Sequence, residues 1–241
     1  MIDLYCAGTP NVLKIEIMLE ETGLPYRLLP LNVWKGEQFA PAFLGINPNG
    51  KVPAIVDHDA EEGPYGVMES AAILIYLAEK TGRFLPAAGR NRHDVLQWLA
   101  FQAANQGPAG GQFVHFQRYA GPGHDYSLNR YRTELHRVYG VMERRLSAVS
   151  HLAGPEYSIA DMAALPWLVS LSNMFRDSVP FVDIDSALHP ALSAWAARCL
   201  QRPAVQRALK AHATIRSGLP EATDDDKDRF FGRGRYAHRM A

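Results

Sequence analysis

Two stretches of this chain, in this order, decide the fold: Asn49-Gly50-Lys51-Val52-Pro53-Ala54-Ile55-Val56 and then Met68-Glu69-Ser70-Ala71-Ala72-Ile73-Leu74-Ile75-Tyr76-Leu77. A proline that opens an apolar, β-branched run is typical of a strand edge, and such prolines are sometimes cis. Val52, before the proline, is then left with free backbone groups. Glu69-Ser70 precedes a run with helical spacing, so it should lie at a helix N-terminus, where N–H groups attract an anion. Together the stretches predict a pocket for a peptide that carries a carboxylate.

The composition is that of a globular protein without a charged-polymer partner. The chain has 241 residues, 47% of them hydrophobic, which is enough for one large or two ordinary domains. Its 25 basic and 25 acidic residues balance. Because no global field would recruit nucleic acid or an anionic membrane, we expect small-molecule or protein partners.

Several other features are expected to be absent. No apolar run approaches the roughly 18 residues of a membrane span, and the Met1-Ile2-Asp3-Leu4 start lacks the basic region of a signal peptide. We therefore expect a cytoplasmic protein. Only Cys6 and Cys199 are present, without C-x-x-C spacing, so any redox chemistry must use an external thiol. The scattered histidines predict no metal site.

The order of elements indicates two domains and a tail. Residues 2–6, 12–22 and 26–31 read as a β-α-β unit, and 51–56, 65–68 and 70–81 follow as a ββα unit. This order predicts a thioredoxin-like α/β domain over residues 1–82. Helical patterns at 94–105, 126–149, 159–173 and 189–212 predict an all-α domain over residues 92–215. Residues 216–241 form a charged, then aromatic and basic, C-terminal tail.

Ser158-Ile159-Ala160-Asp161 has the spacing of a capping box at the start of one of these helices. In such a box the serine hydroxyl accepts from a backbone amide and the acidic side chain accepts from the serine backbone. Capping suffices to explain the motif, so we do not interpret Asp161 as catalytic.

The two opening stretches and their order resemble the glutathione-binding half of the cytosolic glutathione transferases. Further stretches are similar to the bacterial nu class, whose members resemble disulfide-bond reductases, and the similarity runs from residue 1 to about residue 210. These stretches are Met1 to Tyr5, Thr9-Pro10-Asn11, Gly36 to Phe39, Ile46 to Asn49, Lys51 to Asp57, Gln97-Trp98, Gly107-Pro108 and Tyr157 to Asp161. Cys6 departs from the class, whose members tend to have an aromatic residue there.

The resemblance implies a site for glutathione as cosubstrate, and for glutathione disulfide or two glutathiones in a homodimer. The residues it implies are Thr9 and Asn11 near the sulfur; Gln38, Lys51 and Val52, with its cis-proline Pro53, on the glycyl and cysteinyl parts; Glu69 and Ser70 on the γ-glutamyl part; and Arg130 on a second glutathione.

The turn Gly8-Thr9-Pro10-Asn11 can stabilise a thiolate, which is the reactive form of glutathione. It supplies a hydroxyl, a side-chain amide and the free N–H groups of a helix start. The alternative is an ordinary helix cap with Pro10 at the first helical position; the same residues can serve both roles. Tyr5 is a second possible thiolate donor, although packing explains it as well. Cys6 alternates with Leu4 and is expected to be inert core.

We therefore predict a dimeric, glutathione-dependent disulfide-bond reductase with transferase activity toward electrophiles, a detoxification chemistry. One alternative is a glutathione transferase or lyase that acts on aromatic electrophiles or thioethers and needs an open apolar pocket. Another is a non-catalytic interaction module. Arg130 and the tail discriminate among them: the tail is either a solvated, partly frayed terminus, or it folds Phe230, Phe231 or Tyr236 back over the cleft.

Overall fold

The computed structural model describes residues 1–237. The chain forms two compact units, of which the first combines Met1–Ile73 with residues 208–237 and the second is Leu74–Arg207. The predicted domain limits at 82, 92 and 215 remain a prediction.

The first unit is built on a mixed four-stranded sheet in the order β2-β1-β3-β4. Its strands are β1 (Ile2–Cys6), β2 (Tyr26–Pro30), β3 (Ala54–Asp57) and β4 (Tyr65–Met68). β1 runs parallel to β2, and β3 runs antiparallel to both β1 and β4. The predicted thioredoxin-like order, β-α-β followed by ββα, is confirmed.

Helix α1 (Pro10–Thr22) begins and ends at local signals that the sequence contains. The Thr9 hydroxyl accepts a hydrogen bond from the Val12 amide, and Pro10 occupies the first turn. Gly23 ends the helix with a positive φ of 73°, and its N–H donates to the Leu19 carbonyl. Between these ends the helix buries a continuous run from Val12 to Leu19. This burial anchors the turn before the helix.

The register of the sheet brings three chain segments to one edge. Tyr5 at the end of β1 lies opposite Ala54 at the start of β3, and Ala54 lies opposite Met68 at the end of β4. The turn after β1, the segment before β3 and the segment after β4 therefore leave the sheet at the same edge. β2 is parallel to β1, so the chain from Leu31 onward leaves there too.

Most of the second unit is helical. Its helices, after α3 (Ser70–Thr81), which begins in the first unit, are α4 (Gly89–Phe101), α5 (Gly107–Val114), α6 (Asp125–Leu146), α7 (Ile159–Phe175), α8 (Pro190–Leu200) and α9 (Pro203–His212), which ends in the first unit. Wide helical turns at Gln102–Gln106 and His115–Tyr119 flank α5. The first unit also contains a four-residue helix, α2 (Pro41–Leu44), and short 3-10 turns occur in both units.

Two sequence-based predictions of helices were inaccurate in the second unit. The single helix predicted over 189–212 is broken into α8 and α9, because Pro203 has no amide hydrogen and starts a new helix. α5 was not predicted, since its two adjacent glycines are poor helix formers. Packing overrides that preference: a Cβ at Gly110 would lie 2.9 Å from the Trp167 ring, so the ring takes the space a side chain would need.

The Ser158 capping box is present as predicted, and it is buried. The Asp161 carboxylate accepts from the Ser158 amide and hydroxyl, from the Leu152 amide, and from Trp195 Nε1 at 2.8 Å. Four donors on three chain segments therefore meet at one carboxylate, which joins the start of α7 to α8.

The tail does not fray where it is described. Helix α10 (Asp224–Phe231) starts with a second capping box, Thr223 with Asp226, and ends at Gly232 with φ 63°. Phe230 and Phe231 pack on Trp34 of the same unit. The frayed-terminus interpretation was wrong over 216–237, because these aromatic rings remove apolar surface from water. Residues 238–241 of the predicted tail lie outside the described residues.

Candidate functional site

The loop before β3 is shaped by a buried asparagine. Asn47 is only 1% exposed; its Nδ2 donates to the Lys51 carbonyl at 2.6 Å and its Oδ1 accepts from the Asn49 amide at 3.0 Å. The Asn47 carbonyl also accepts from the Gly50 amide. Sequence reasoning had treated Asn47 only as part of a similar stretch. Its side chain holds both ends of the loop and so orients the segment that follows.

Val52 presents the unpaired backbone that the sequence predicted. The Val52–Pro53 peptide bond is cis, and β3 begins one residue later at Ala54. Within residues 1–237 neither the N–H nor the carbonyl of Val52 takes part in a hydrogen bond. A strand-like residue with both backbone groups available can pair with an extended peptide.

Glu69 has a backbone conformation that the sequence did not reveal. Its φ is 65°, in the left-handed region that residues other than glycine rarely adopt. Asn49 Nδ2 donates to Glu69 Oε1 at 3.1 Å, which connects the β3 loop to the start of α3. Such strained residues cluster at functional sites. Ser70 follows as the first residue of α3, as predicted.

Lys14 lies beneath this helix start and was not among the predicted site residues. Its side chain is on the buried side of α1, and Nζ donates to Ser70 Oγ at 3.2 Å. Burial lowers the pKa of Lys14 to about 7, and the negative charge of Glu69 opposes that shift. The available signal was a lysine inside the apolar run of α1, where a charged side chain needs a partner.

The turn before α1 has the donors that were expected of it. Thr9 is half-buried, and its hydroxyl oxygen accepts from the Val12 amide at 3.3 Å, which leaves the hydroxyl hydrogen to donate elsewhere. Asn11 is half-buried in the first turn of α1. The Thr9 hydroxyl therefore caps α1, and it can still donate a hydrogen bond to a ligand.

Gln38 and Lys51 come from two loops that pass close together. Gly50, with φ 61°, lets them approach: a Cβ there would lie 3.2 Å from the Phe39 ring and 3.5 Å from the Gln38 carbonyl oxygen. Gln38 is 3% exposed, and its Oε1 has no hydrogen-bond partner within the described chain. Lys51 is exposed, and its Nζ lies 5.8 Å from the centroid of the Phe230 ring.

The remaining candidate residues are Arg130, Tyr5 and Cys6. Arg130 belongs to the second unit, on α6, where its side chain is 57% exposed and 3.5 Å from Glu134. Tyr5 packs beside Phe43, with ring centroids 5.5 Å apart. Cys6 is buried, and desolvation together with the charge of Glu16 raises the pKa of its thiol to about 12. Cys6 is therefore not a thiolate near neutral pH.

Residues 1–237 offer no candidate for a metal site or for a membrane-spanning helix. Among them no group of three or more His, Cys, Asp or Glu side chains could hold a metal ion. No helix in that part of the chain is long and apolar enough to cross a membrane.

The fold and the loops at one sheet edge define a thioredoxin-like domain followed in sequence by a helical one. Residues 9–80 match the family model of the glutathione S-transferase N-terminal domain, and residues 125–198 match that of the C-terminal domain. The chain belongs to the glutathione S-transferase family. The resemblance read from the sequence is thereby confirmed.

Two relatives from Escherichia coli K12 carry enzyme names. Disulfide-bond oxidoreductase YfcG is 46% identical over 211 residues, which cover 87% of this chain and 94% of that protein. Disulfide-bond oxidoreductase YghU is 39% identical, over 86% of this chain and 73% of that protein.

Two similar solved structures contain glutathione species. A glutathione transferase family member from Pseudomonas fluorescens, with two glutathione bound, has a TM-score of 0.81 and 39% identity, and the match covers 86% of this chain and 92% of that one. A glutathione transferase from Pseudomonas putida, with one glutathione disulfide bound per subunit, has a TM-score of 0.80 and 39% identity, over 87% and 90% of the two chains.

Proposed function

We propose that this chain is a glutathione-dependent disulfide-bond reductase with glutathione transferase activity. The observation that carries the proposal is the register of the sheet, which brings the Thr9 turn, Val52 and the Glu69-Ser70 helix start to one edge. These three segments offer a thiolate donor, an unpaired backbone and an anion-binding helix start. The names of the two Escherichia coli relatives support the same chemistry.

Glutathione would lie along this edge in an extended conformation. The N–H and carbonyl of Val52 pair with its cysteinyl backbone. The Glu69 carboxylate accepts from the γ-glutamyl ammonium group, and the Ser70 end of α3 binds the γ-glutamyl carboxylate. Gln38 and Lys51 bind the glycyl part. The thiol then lies toward Thr9 and Asn11, whose donors stabilise the thiolate and so lower its pKa.

The reaction needs no cysteine of the enzyme. The glutathione thiolate attacks one sulfur of the substrate disulfide; the S–S bond breaks, a mixed disulfide forms, and the departing thiolate takes up a proton. A second glutathione thiolate attacks the glutathione sulfur of the mixed disulfide, which releases the second substrate thiol and forms glutathione disulfide. Two glutathiones are thus oxidised as one disulfide is reduced to two thiols.

We assign Arg130 to the second glutathione, since a guanidinium binds a carboxylate through two parallel hydrogen bonds. We further infer a homodimer, which the exposed side chains of Tyr65 (55%) and Met68 (38%) on the edge strand β4 support. Light scattering in solution tests the dimer. The activity belongs in the cytoplasm, where thiols are kept reduced.

The assay that tests the function compares two substrates. Wild-type protein should reduce a model disulfide with glutathione more efficiently than it transfers glutathione to a chlorinated aromatic. Arg130→Ala should lower kcat/KM for the disulfide by about one to two decades and change aromatic transfer little, because a charge-assisted contact contributes about 1.5–3 kcal/mol.

Arg137→Ala is the matched control, since Arg137 lies on the same helix and pairs with the same Glu134. It should leave both activities unchanged. Equal losses of both activities in Arg130→Ala would indicate a folding or gating role. A loss confined to the aromatic acceptor would favour the transferase alternative, and no turnover of either substrate would favour an interaction module.

A further inference from the structure

The tail helix α10 packs on the loop that carries Gln38. This loop comprises residues 32–39, with 3-10 turns at Val33–Lys35 and Glu37–Phe39 on either side of Gly36. The Arg229 guanidinium donates to the Lys35 carbonyl at 3.3 Å and lies so close to Gly36 that a Cβ there would be 3.1 Å from it. The loop and α10 are therefore in tight contact, although they are nearly two hundred residues apart in sequence.

An aromatic contact connects α10 with Lys51. The Phe230 ring stacks on Trp34 with centroids 4.4 Å apart and an interplanar angle of 30°. Lys51 Nζ lies 5.8 Å from the centroid of the same Phe230 ring. That distance is within the range at which an ammonium group is attracted by an aromatic face. Phe230 is thus fixed by Trp34 on one side and attracts the Lys51 ammonium.

The two lysines of this region, Lys35 and Lys51, differ in their ion pairing. Lys35 Nζ pairs with Asp226 Oδ2 at 2.6 Å, and the Asp226 side chain is 10% exposed. Hydrogen bonds from Lys35 and from the Thr223 backbone and hydroxyl hold the pKa of that carboxyl below its usual range. Lys51 has no ion pair within residues 1–237. Among the described residues its ammonium group lies over an aromatic ring and pairs with no carboxylate, so it is available to a ligand carboxylate.

We infer that α10 is a positioning element of the glutathione site, in which Phe230 orients Lys51 toward the glycyl carboxylate. This inference rests on the proposed function and adds a role for the segment that lies beyond the similarity to known families. Trp34 and the Lys35–Asp226 pair hold α10 in place, and Phe230 acts on the ligand through Lys51. The tail of this chain thereby contributes to its affinity for glutathione.

Binding measured by calorimetry tests the inference with matched variants. Phe230→Leu keeps an apolar side chain but removes the aromatic face, and it should raise the Kd of glutathione about twofold to fivefold. Phe230→Tyr keeps the aromatic face and should bind as the wild type does. Asp224→Asn is the control on α10, because Asp224 is 97% exposed and pairs with Lys227.

A second ligand identifies the part of glutathione concerned. Glutathione monoethyl ester lacks the glycyl carboxylate, so its Kd should be the same for the wild type and Phe230→Leu. In Lys51→Met, the Phe230→Leu change should have no further effect on glutathione binding. A general folding defect would instead weaken the binding of both ligands, and the loss would add to the loss caused by Lys51→Met.

The remaining outcomes decide the inference directly. If Phe230→Leu binds glutathione as tightly as the wild type, or more tightly, the positioning role is wrong and the proposed function stands. If the wild type does not bind glutathione, the proposed function fails and this inference fails with it.

Discussion

Helices α1 and α7 begin with similar capping residues, Thr9 and Ser158, but the two caps differ in their surroundings. Ser158 and Asp161 are buried, and the four hydrogen bonds to the Asp161 carboxylate all come from protein donors. Thr9 is half-buried, and its hydroxyl accepts a single amide at 3.3 Å. The Ser158 cap therefore has no hydrogen-bonding capacity left for a ligand, whereas the Thr9 cap does.

The two helices also differ in the groups that surround a buried charged side chain. On α7, Asp161 is surrounded by donors from three segments. On α1, the buried ammonium of Lys14 donates to Ser70 Oγ and lies near the negative charge of Glu69. A carboxylate surrounded by protein donors stabilises a fold, and a buried charge with a lowered pKa beside a strained residue is typical of a functional site. Burial and surroundings, more than residue type, therefore separate a structural cap from a reactive one.

The largest expected effect is on stability, at α7. Asp161→Ala would leave four buried donors without an acceptor and should lower the free energy of unfolding by about 3–5 kcal/mol. Denaturant titration followed by circular dichroism measures the loss. Asp161→Asn keeps one carbonyl oxygen and should lose less. An Asp161→Ala protein of wild-type stability would contradict the structural role of this cap.

At α1 the expected effect is on rate. Thr9→Ala, and Asn11→Ala separately, should lower kcat/KM for disulfide reduction by about one to two decades, since each removes a donor worth about 1.5–3 kcal/mol to a thiolate. The loss of the Thr9 cap should cost only about 1 kcal/mol of stability. Thr9→Ser keeps the hydroxyl and should retain activity. Full activity in both alanine variants would mean that the turn is only a helix start.

The buried lysine of α1 predicts a pH dependence of stability. The pKa of Lys14 is about 7 in the folded chain and returns to its ordinary 10.5 on unfolding. Between those values the unfolded chain holds the proton that the folded chain has released, so the free energy of unfolding rises with pH. We expect a rise of about 2 kcal/mol between pH 7 and pH 9.

Lys14→Met removes the titrating group, so this rise should shrink in the variant. Urea titrations of both proteins across the same pH range measure it. The window ends at pH 9 because Cys6, with a pKa raised to about 12, makes a contribution of opposite sign above its ordinary 9.0. Parallel curves for the two proteins would show that Lys14 does not titrate there.

The smallest effect is expected at the two cysteines. Cys6 precedes the Thr9 turn, and Cys199 lies on α8; both are buried thiols. Because thiol exchange runs between two glutathiones, Cys6→Ala and Cys199→Ala should leave kcat for disulfide reduction within about twofold of the wild type. A mixed disulfide of either cysteine with glutathione, trapped during turnover by mass spectrometry, would overturn this.

The sequence by itself determined the features that depend on near neighbours in the chain. The start of α1 at Thr9-Pro10, the Ser158 capping box, the proline before β3 and the Ser70 helix start are set within a few residues, and alternation and helical spacing indicate the rest of the sheet order. These local signals were enough to predict the thioredoxin-like domain and the helical domain, and the resemblance of the quoted stretches predicted the family. The roles assigned to the site residues stay predictions, since their chemistry depends on a ligand.

Only the tertiary structure decided which side chains meet. Lys14 reaches Ser70, 56 positions away, and Lys35 reaches Asp226, 191 positions away. Asn49 holds a Glu69 whose left-handed backbone has no sequence signature, and α10 packs on a loop near the other end of the chain. Contacts between distant residues leave no periodic pattern in a single sequence, because they arise from the packing of elements rather than from the propensities of neighbouring residues.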